Sequence, residues 1–287
     1  WRKKMLKFAV IGHPLSQSLS GVMHNAMLKE LNLDGEYETI DTDNEDLVDR
    51  IKQLKSQGYA GFNVTIPLKV LVTLFLDNVD NLADMAGCAN TVKIMPDRSL
   101  YGYNTDIYGF QKAIPEQLLQ ELKNSTVTIL GTGGASRAAA IALCMSGVKQ
   151  INFYARNVIN ASDMVNYLRC RFPHITFNLK QMQSISDLSD SKMLVNSTPI
   201  GMRGKAMGMS PIDESVIKTL PAGSAVYDIV YNPLKTELLR LAQKNGYQTI
   251  SGLDMFVHQG AKAFEIWTGK QAKPEIMKIA VLEHLVN

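Results

Sequence analysis

Cysteine is scarce in this 287-residue chain, and Cys88, Cys144 and Cys170 show no Cys-x-x-Cys spacing. Three isolated thiols exclude a disulfide framework and suit a reducing, cytoplasmic setting. The five histidines (13, 24, 174, 258 and 284) include no pair at metal-ligand spacing, so no metal is expected. Long apolar runs are missing as well: none approaches the ~20 residues that span a bilayer. The basic Arg2-Lys3-Lys4 leads only into Leu6 to Ile11 and then Gly12-His13-Pro14, too short for a signal peptide. Trp1 comes first, and Met5 is a candidate native start. The net charge is only +3, with no Lys/Arg block beyond residue 4. That balance argues against nucleic acid or a membrane as partner.

What is present is alternation. Apolar strand-like runs are expected at 8–11, 37–40, 62–65, 90–94 and 100–104. Helical patterns fall at 22–31 and 45–55, with another starting near Leu68. A connecting helix over 106–122 is interrupted at Pro115. A second series of strands follows at 127–130, 151–154, 175–179, 193–196 and 225–229, then a helix at 237–244 and a short strand at 248–250. Helices at 253–267 and 275–285 end the chain. Strands alternating with helices imply an α/β protein with mostly parallel sheets, and the length suggests two domains at roughly 150 residues each. The expected division is 1–105 plus 238–287 against 106–237, with a hinge at 106–124 and 237–245 and a cleft between the lobes. The second series reads as a doubly wound, Rossmann-type nucleotide domain.

That domain opens on Gly131-Thr132-Gly133-Gly134-Ala135-Ser136, between the run Val127 to Leu130 and an Ala-rich helix. Glycines at a strand-to-helix junction permit a tight turn, and the helix N-terminus favours a diphosphate. Ser136 replaces the last glycine of G-x-G-x-x-G, so the fingerprint is a variant one.

Lys69 and Asp106 stand at element ends and suit a proton-transfer pair, the aspartate holding the ammonium. The plainer alternatives are a solvated lysine and a helix-capping aspartate. Ser16, Ser18 and Ser20 alternate before a helix and can share one side of an extended segment, ready for a carboxylate. Equally, Ser20 can be an N-cap and the others a polar turn.

Several motifs occur in one order. They are Gly12-x-Pro14, Ser18-x-Ser20 and His24-Asn25; Asn63-Val64-Thr65-x-Pro67-x-Lys69; and Gly87-x-x-Asn90-Thr91 with Asn104-Thr105-Asp106-x-x-Gly109. Beyond the glycine turn come Asn196-x-Thr198-x-x-Gly201-Met202 and Tyr227-Asp228-x-x-Tyr231-x-Pro233-x-x-Thr236, then Gly252-Leu253-x-Met255-x-x-x-Gln259. Together they resemble the shikimate dehydrogenase family over nearly the whole chain.

The resemblance implies an NADP-dependent oxidoreductase of aromatic amino acid biosynthesis that interconverts 3-dehydroshikimate and shikimate. It implies Lys69 and Asp106 as catalytic pair, with Ser18, Ser20, Asn63, Thr65, Asn90, Tyr231 and Gln259 about the substrate. It also implies that Gly131 to Ser136, Arg156, Thr198, Ile229, Gly252 and Met255 hold the cofactor. A small-molecule substrate is the expected partner, in a monomer or homodimer. A quinate/shikimate dehydrogenase and a low-turnover sensor of NADP and shikimate-like ligands are the alternatives. A methyltransferase is a distant third, because the acidic ribose contact that usually follows its glycine loop is missing.

Departures from the family pattern bear on both ligands. The usual Asn-Arg-Thr with a further cation is Ala155-Arg156-Asn157-Val158-Ile159-Asn160 here, leaving Arg156 alone. No acidic residue stands there for a ribose hydroxyl, so NADP is expected over NAD, held more weakly than in typical relatives. Gly21 replaces a proline after Ser-x-Ser, which is expected to loosen that turn. Val70 and Leu71 replace charge after Lys69, and Tyr103 takes a position where an acidic residue is common. A divergent paralogue is therefore expected.

Overall fold

A computed structural model describes residues 5–204 and 206–286. The chain divides into two compact units, 1–109 with 257–287, and 110–256.

In the first unit β1 (Leu6–Gly12), α1 (Ser20–Glu30), β2 (Gly35–Asp41), α2 (Leu47–Ser56) and β3 (Gly61–Val64) come first. β4 (Asn78–Val79), α3 (Asn81–Ala86), β5 (Thr91–Ile94), β6 (Leu100–Tyr103) and α4 (Thr105–Ala113) follow. The sheet order is β2-β1-β3-β5-β6-β4. β1 is parallel to β2 and β3, while β5 is antiparallel to both β3 and β6. The wholly buried run Ala9, Val10 and Ile11 explains why β1 is central: both its faces are covered. One face packs Leu47, Ile51 and Leu54 of α2 on Phe62, Val64 and Val92. No long helix starts at Leu68, contrary to expectation. The segment is a turn and a short 3-10 helix, Leu71–Phe75, anchored by buried Leu68 and Val72.

The second unit holds α5 (Glu116–Glu121), β7 (Thr126–Leu130), α6 (Gly134–Met145), β8 (Gln150–Ala155), α7 (Val158–Arg171) and β9 (Thr176–Gln181). β10 (Ser191–Asn196), α8 (Glu214–Ile217), β11 (Ala225–Asp228), α9 (Glu237–Lys244) and β12 (Gln248–Ser251) complete it. Its sheet is parallel throughout, in the order β12-β11-β10-β7-β8-β9. The strand order reverses between β10 and β7, as a doubly wound sheet requires. The break expected at Pro115 is present between α4 and α5.

α10 (Gly252–Thr268) and α11 (Pro274–Val286) end the chain. The chain passes between units inside α4, after Gly109 and close to the expected 105, and inside α10, after Phe256 rather than near residue 237 as expected. Residues 238–256 stay with the second unit because β12 extends its sheet beside β11. Leu238, Leu239, Leu241 and Ala242 of α9 also enter its core with Leu194 and Val226.

Candidate functional site

In the first unit the reactive groups are assembled by backbone contacts before side chains meet. Gly12 has φ +154°, and a Cβ there would lie 2.4 Å from the Thr65 side chain and 2.7 Å from the Ile66 carbonyl. Only glycine lets the 12–18 loop close against the Thr65–Lys69 turn. The Ala89 N–H then donates to the Lys69 carbonyl at 2.9 Å, fixing Lys69 beside Asn90.

Lys69 Nζ donates to Asp106 Oδ2 at 2.5 Å, with side chains only 16% and 9% exposed. Asp106 lies in the first turn of α4, where the helix dipole favours its charge. Its other oxygen accepts from Asn90 Nδ2 at 2.9 Å, and Asn90 Oδ1 accepts from the Thr105 N–H at 2.7 Å. Asn90 Nδ2 also lies 3.3 Å from Gln259 Oε1. Behind them, buried Asn63 donates to Thr91 Oγ1 at 2.9 Å and accepts from the Tyr37 hydroxyl at 2.8 Å. Buried polar groups joined this way hold one geometry, since breaking any link leaves an unpaired group. Neither plainer alternative for the pair survives: Lys69 is not a freely solvated lysine, and Asp106 is bound to Lys69 and Asn90.

Gln259 is carried on α10, whose Trp267 Nε1 donates to the Val92 carbonyl at 2.9 Å. Gly61 makes room for that indole, because a Cβ there would meet it at 2.3 Å. Sequence reading missed Tyr37, an ordinary strand aromatic whose hydroxyl partner is 26 residues away.

The three serines do not share an extended face. Residues 15–18 form a turn closed by the Ser18 N–H and the Leu15 carbonyl, so Ser16 is exposed, Ser18 half-buried and Ser20 buried. Ser20 is the first residue of α1 and not its cap; its N–H approaches Ser18 Oγ at 3.4 Å. Burial pushes the Tyr37 phenol well above its usual pKa, with the nearby Ser20 hydroxyl acting in the opposite direction. Gly21 falls inside α1, so it does not loosen a turn.

His24 is fully buried, stacked on Tyr37 at 4.4 Å between centroids, and neither ring nitrogen has a partner. Burial lowers its pKa from 6.5 to about 3, so it is neutral.

In the second unit Gly131 has φ +98°, and a Cβ would sit 2.8 Å from Ser197 Oγ. Gly133 faces open space, with nothing within 4 Å of where its Cβ would be. The first helical bond of α6 runs from the Arg137 N–H to the Gly133 carbonyl. The N–H groups of Gly134, Ala135 and Ser136 therefore point out of the helix start toward that open side. Ser136 donates to the Gly131 carbonyl at 2.7 Å: its side chain clamps the turn, and only its backbone is left for an anion. The turn thus fits a diphosphate.

The other expected cofactor residues lie at the ends of neighbouring strands. Thr198 donates to Asn196 Oδ1 at 2.7 Å, and Asn196 Nδ2 donates to Asp228 Oδ1 at 2.9 Å. Asp228 also accepts from Thr236 Oγ1 at 2.6 Å; burial nonetheless raises its pKa from 3.8 to about 6. A Cβ on Gly252 would meet the Ile229 carbonyl at 2.0 Å, so the start of α10 lies directly on that strand end, with Met255 buried one turn on. Arg156 is exposed just past β8, and Asn157 caps α7 by accepting from the Ile159 and Asn160 N–H groups. Tyr231 belongs to this unit, its ring stacked 4.2 Å from Phe256.

Residues 10–92 match the shikimate dehydrogenase substrate binding domain, and residues 252–282 the shikimate 5'-dehydrogenase C-terminal domain. The shikimate dehydrogenase (NADP(+)) of Bacillus cereus strain AH187 is 37% identical across 97% of this chain and 98% of its own. The chain belongs to the shikimate dehydrogenase family. Among solved structures, shikimate 5-dehydrogenase from Thermus thermophilus, in complex with NADP(H) and shikimate, superposes with a TM-score of 0.82. It is 34% identical, over 98% of this chain and 100% of that one. Quinate dehydrogenase from Corynebacterium glutamicum with NAD reaches 0.88 at 29% identity, over 98% and 100%. Among the described residues no helix is long and apolar enough to cross a membrane, and no acidic, His and Cys group can hold a metal.

Proposed function

We propose that this chain is an NADP-dependent shikimate dehydrogenase, interconverting 3-dehydroshikimate and shikimate. The observation that carries it is the Lys69–Asp106 pair, with Asn90 on the second carboxylate oxygen. In reduction the Lys69 ammonium gives a proton to the ring carbonyl oxygen; in oxidation the neutral amine takes it from the hydroxyl. Asp106 orients the amine and stabilises its charged form. NADP, when bound, exchanges the hydride.

The substrate belongs with the first unit in this assignment. Ser18 and Ser20 receive its carboxylate and Thr65, Asn90 and Gln259 its hydroxyls, while buried Asn63 supports Asn90 and Thr91 from behind. The cofactor belongs with the second unit: the turn Gly131 to Ser136 takes the diphosphate, Arg156 the 2′-phosphate, and Thr198, Ile229, Gly252 and Met255 the nicotinamide side. A cytoplasmic location suits the three free thiols, and one chain supplies every assigned residue, whether monomer or homodimer.

Steady-state assays with shikimate and quinate, each with NADP+ and NAD+, test the assignment. The highest kcat/KM is expected for shikimate with NADP+. Tight shikimate binding without turnover would instead identify a sensor, and a preference for quinate with NAD+ would overturn the substrate and cofactor together.

A further inference from the structure

The NADP assignment leaves a doubly charged 2′-phosphate facing a single cation, because Asn157 and Asn160 stand where further contacts are usual. Asn157 commits its Oδ1 to two α7 amides that it caps, and its Nδ2 can bring the phosphate a hydrogen bond but no charge. A second cation for that phosphate would have to come from another segment at the same edge of the sheet.

β9 supplies one. Its register with β8 pairs Tyr154 with Lys180 and Ala155 with Gln181, the last residues of both strands. Paired residues of parallel strands project on the same face, and Lys180 Nζ indeed lies 5.8 Å from the centroid of the Tyr154 ring. Lys180 is exposed, and among the described residues no carboxylate forms an ion pair with it. Arg156 follows two residues after Tyr154. Strand spacing and rise put its Cα on the order of 8 Å from that of Lys180, within the combined reach of the two side chains. All six strands of this sheet are parallel, so both cations stand at the C-terminal edge that carries the glycine turn. The buried Tyr154 ring beneath the ammonium limits the directions Lys180 can take.

Resting on the NADP assignment, we propose that Lys180 is the second 2′-phosphate ligand of this chain and, with Arg156, a determinant of its preference for NADP over NAD. The pair divides between adjacent strands a task that neighbouring residues of one loop otherwise perform.

Calorimetric titration of the whole protein with NADP+, NAD+, 2′,5′-ADP and 5′-AMP tests this without turnover. Lys180→Ala and Lys180→Met should each weaken NADP+ and 2′,5′-ADP about 10-fold, leaving NAD+ and 5′-AMP unchanged. Lys180→Arg should restore binding. Lys180→Met keeps the apolar stem over Tyr154, so wild-type affinity in that variant alone would mean that Lys180 merely covers the ring, and would overturn the proposal. A 2′-phosphate preference undiminished in both Lys180→Ala and Lys180→Met would overturn the assignment to Lys180 and leave the NADP assignment standing. Wild-type protein that does not distinguish 2′,5′-ADP from 5′-AMP would overturn the NADP assignment itself.

Discussion

Asp106 has both carboxylate oxygens occupied inside the first unit, whereas Arg156, at a strand end of the second, stands in solvent. The contrast is one of preorganisation. Around Asp106 the protein has already made the hydrogen bonds that hold Lys69, Asn90 and Asp106, so the proposed catalytic pair is fixed before any substrate arrives. At the sheet edge that carries Arg156 the protein offers the backbone N–H groups of the glycine turn and exposed cationic side chains, Arg156 and Lys180. The first arrangement spends folding energy on geometry; the second leaves affinity to depend on exposed charge.

The sharpest way to break the first arrangement is at the lysine. Lys69→Ala should lower kcat by about 10³-fold, on the order of 4 kcal/mol of barrier, with shikimate still bound. Steady-state kinetics beside ligand titration measures it, and an unchanged kcat would remove Lys69 from proton transfer.

Acid should then act on the two units in opposite directions. In the second, Asp228 has a folded pKa of about 6 against 3.8 unfolded, so the folded chain takes up the proton first as pH falls. Its contribution is full below pH 3.8 and is lost as pH rises through 6, a span of about 3 kcal/mol. In the first unit His24 has a folded pKa of about 3 against 6.5, so the unfolded chain is protonated first. Stability is lost as pH falls from 6.5 toward 3, by about 2 kcal/mol at pH 5. Thermal unfolding from pH 7 to 4 should show His24→Phe more acid-resistant than wild type and Asp228→Asn without the acid-side gain. Parallel curves for all three would refute both assignments.

Next comes the turn. Gly131→Ala forces a Cβ at φ +98° against Ser197 and should cost about 1–3 kcal/mol of stability, with weaker NADP+ binding. Shikimate affinity should not change if the two units bind their ligands independently. Unfolding and titration of the one variant separate these effects.

The contrast also governed what could be read from the chain. Gly131, Lys69 and Asp106 were legible because a turn, a strand end and a helix start have local signals. The bond from Tyr37 to Asn63 and the carbonyl pressed on Gly252 were not, since each depends on sheet register or helix packing across distant residues. The cap offered as one of two alternatives for Ser20 fails, although its spacing before the helix suits one, because the helix begins on Ser20 itself. The short turn after Pro67 was misread as a longer helix: Leu68 and Val72 are buried at helical spacing, but Ile66, Val70 and Leu74 find no apolar cover. Residues 238–256 were misassigned because only strand pairing shows that β12 belongs beside β11.

The smallest predicted effect concerns Arg156. Arg156 is exposed, and among the described residues no side chain pairs with it, so its truncation should leave folding unaffected and remove only the proposed phosphate contact. Arg156→Ala should therefore weaken NADP+ about 10-fold, leave NAD+ unchanged and leave kcat at saturating NADP+ near wild type. The affinity difference should shrink as salt rises, because screening acts on exposed charges first. At the Lys69–Asp106 pair the same rise in salt should change kcat little, the two side chains being largely shielded from solvent. Measuring NADP+ affinity and kcat over one salt series thus compares the two units directly, and equal salt sensitivity would mean that the catalytic pair is no better shielded than the phosphate clamp.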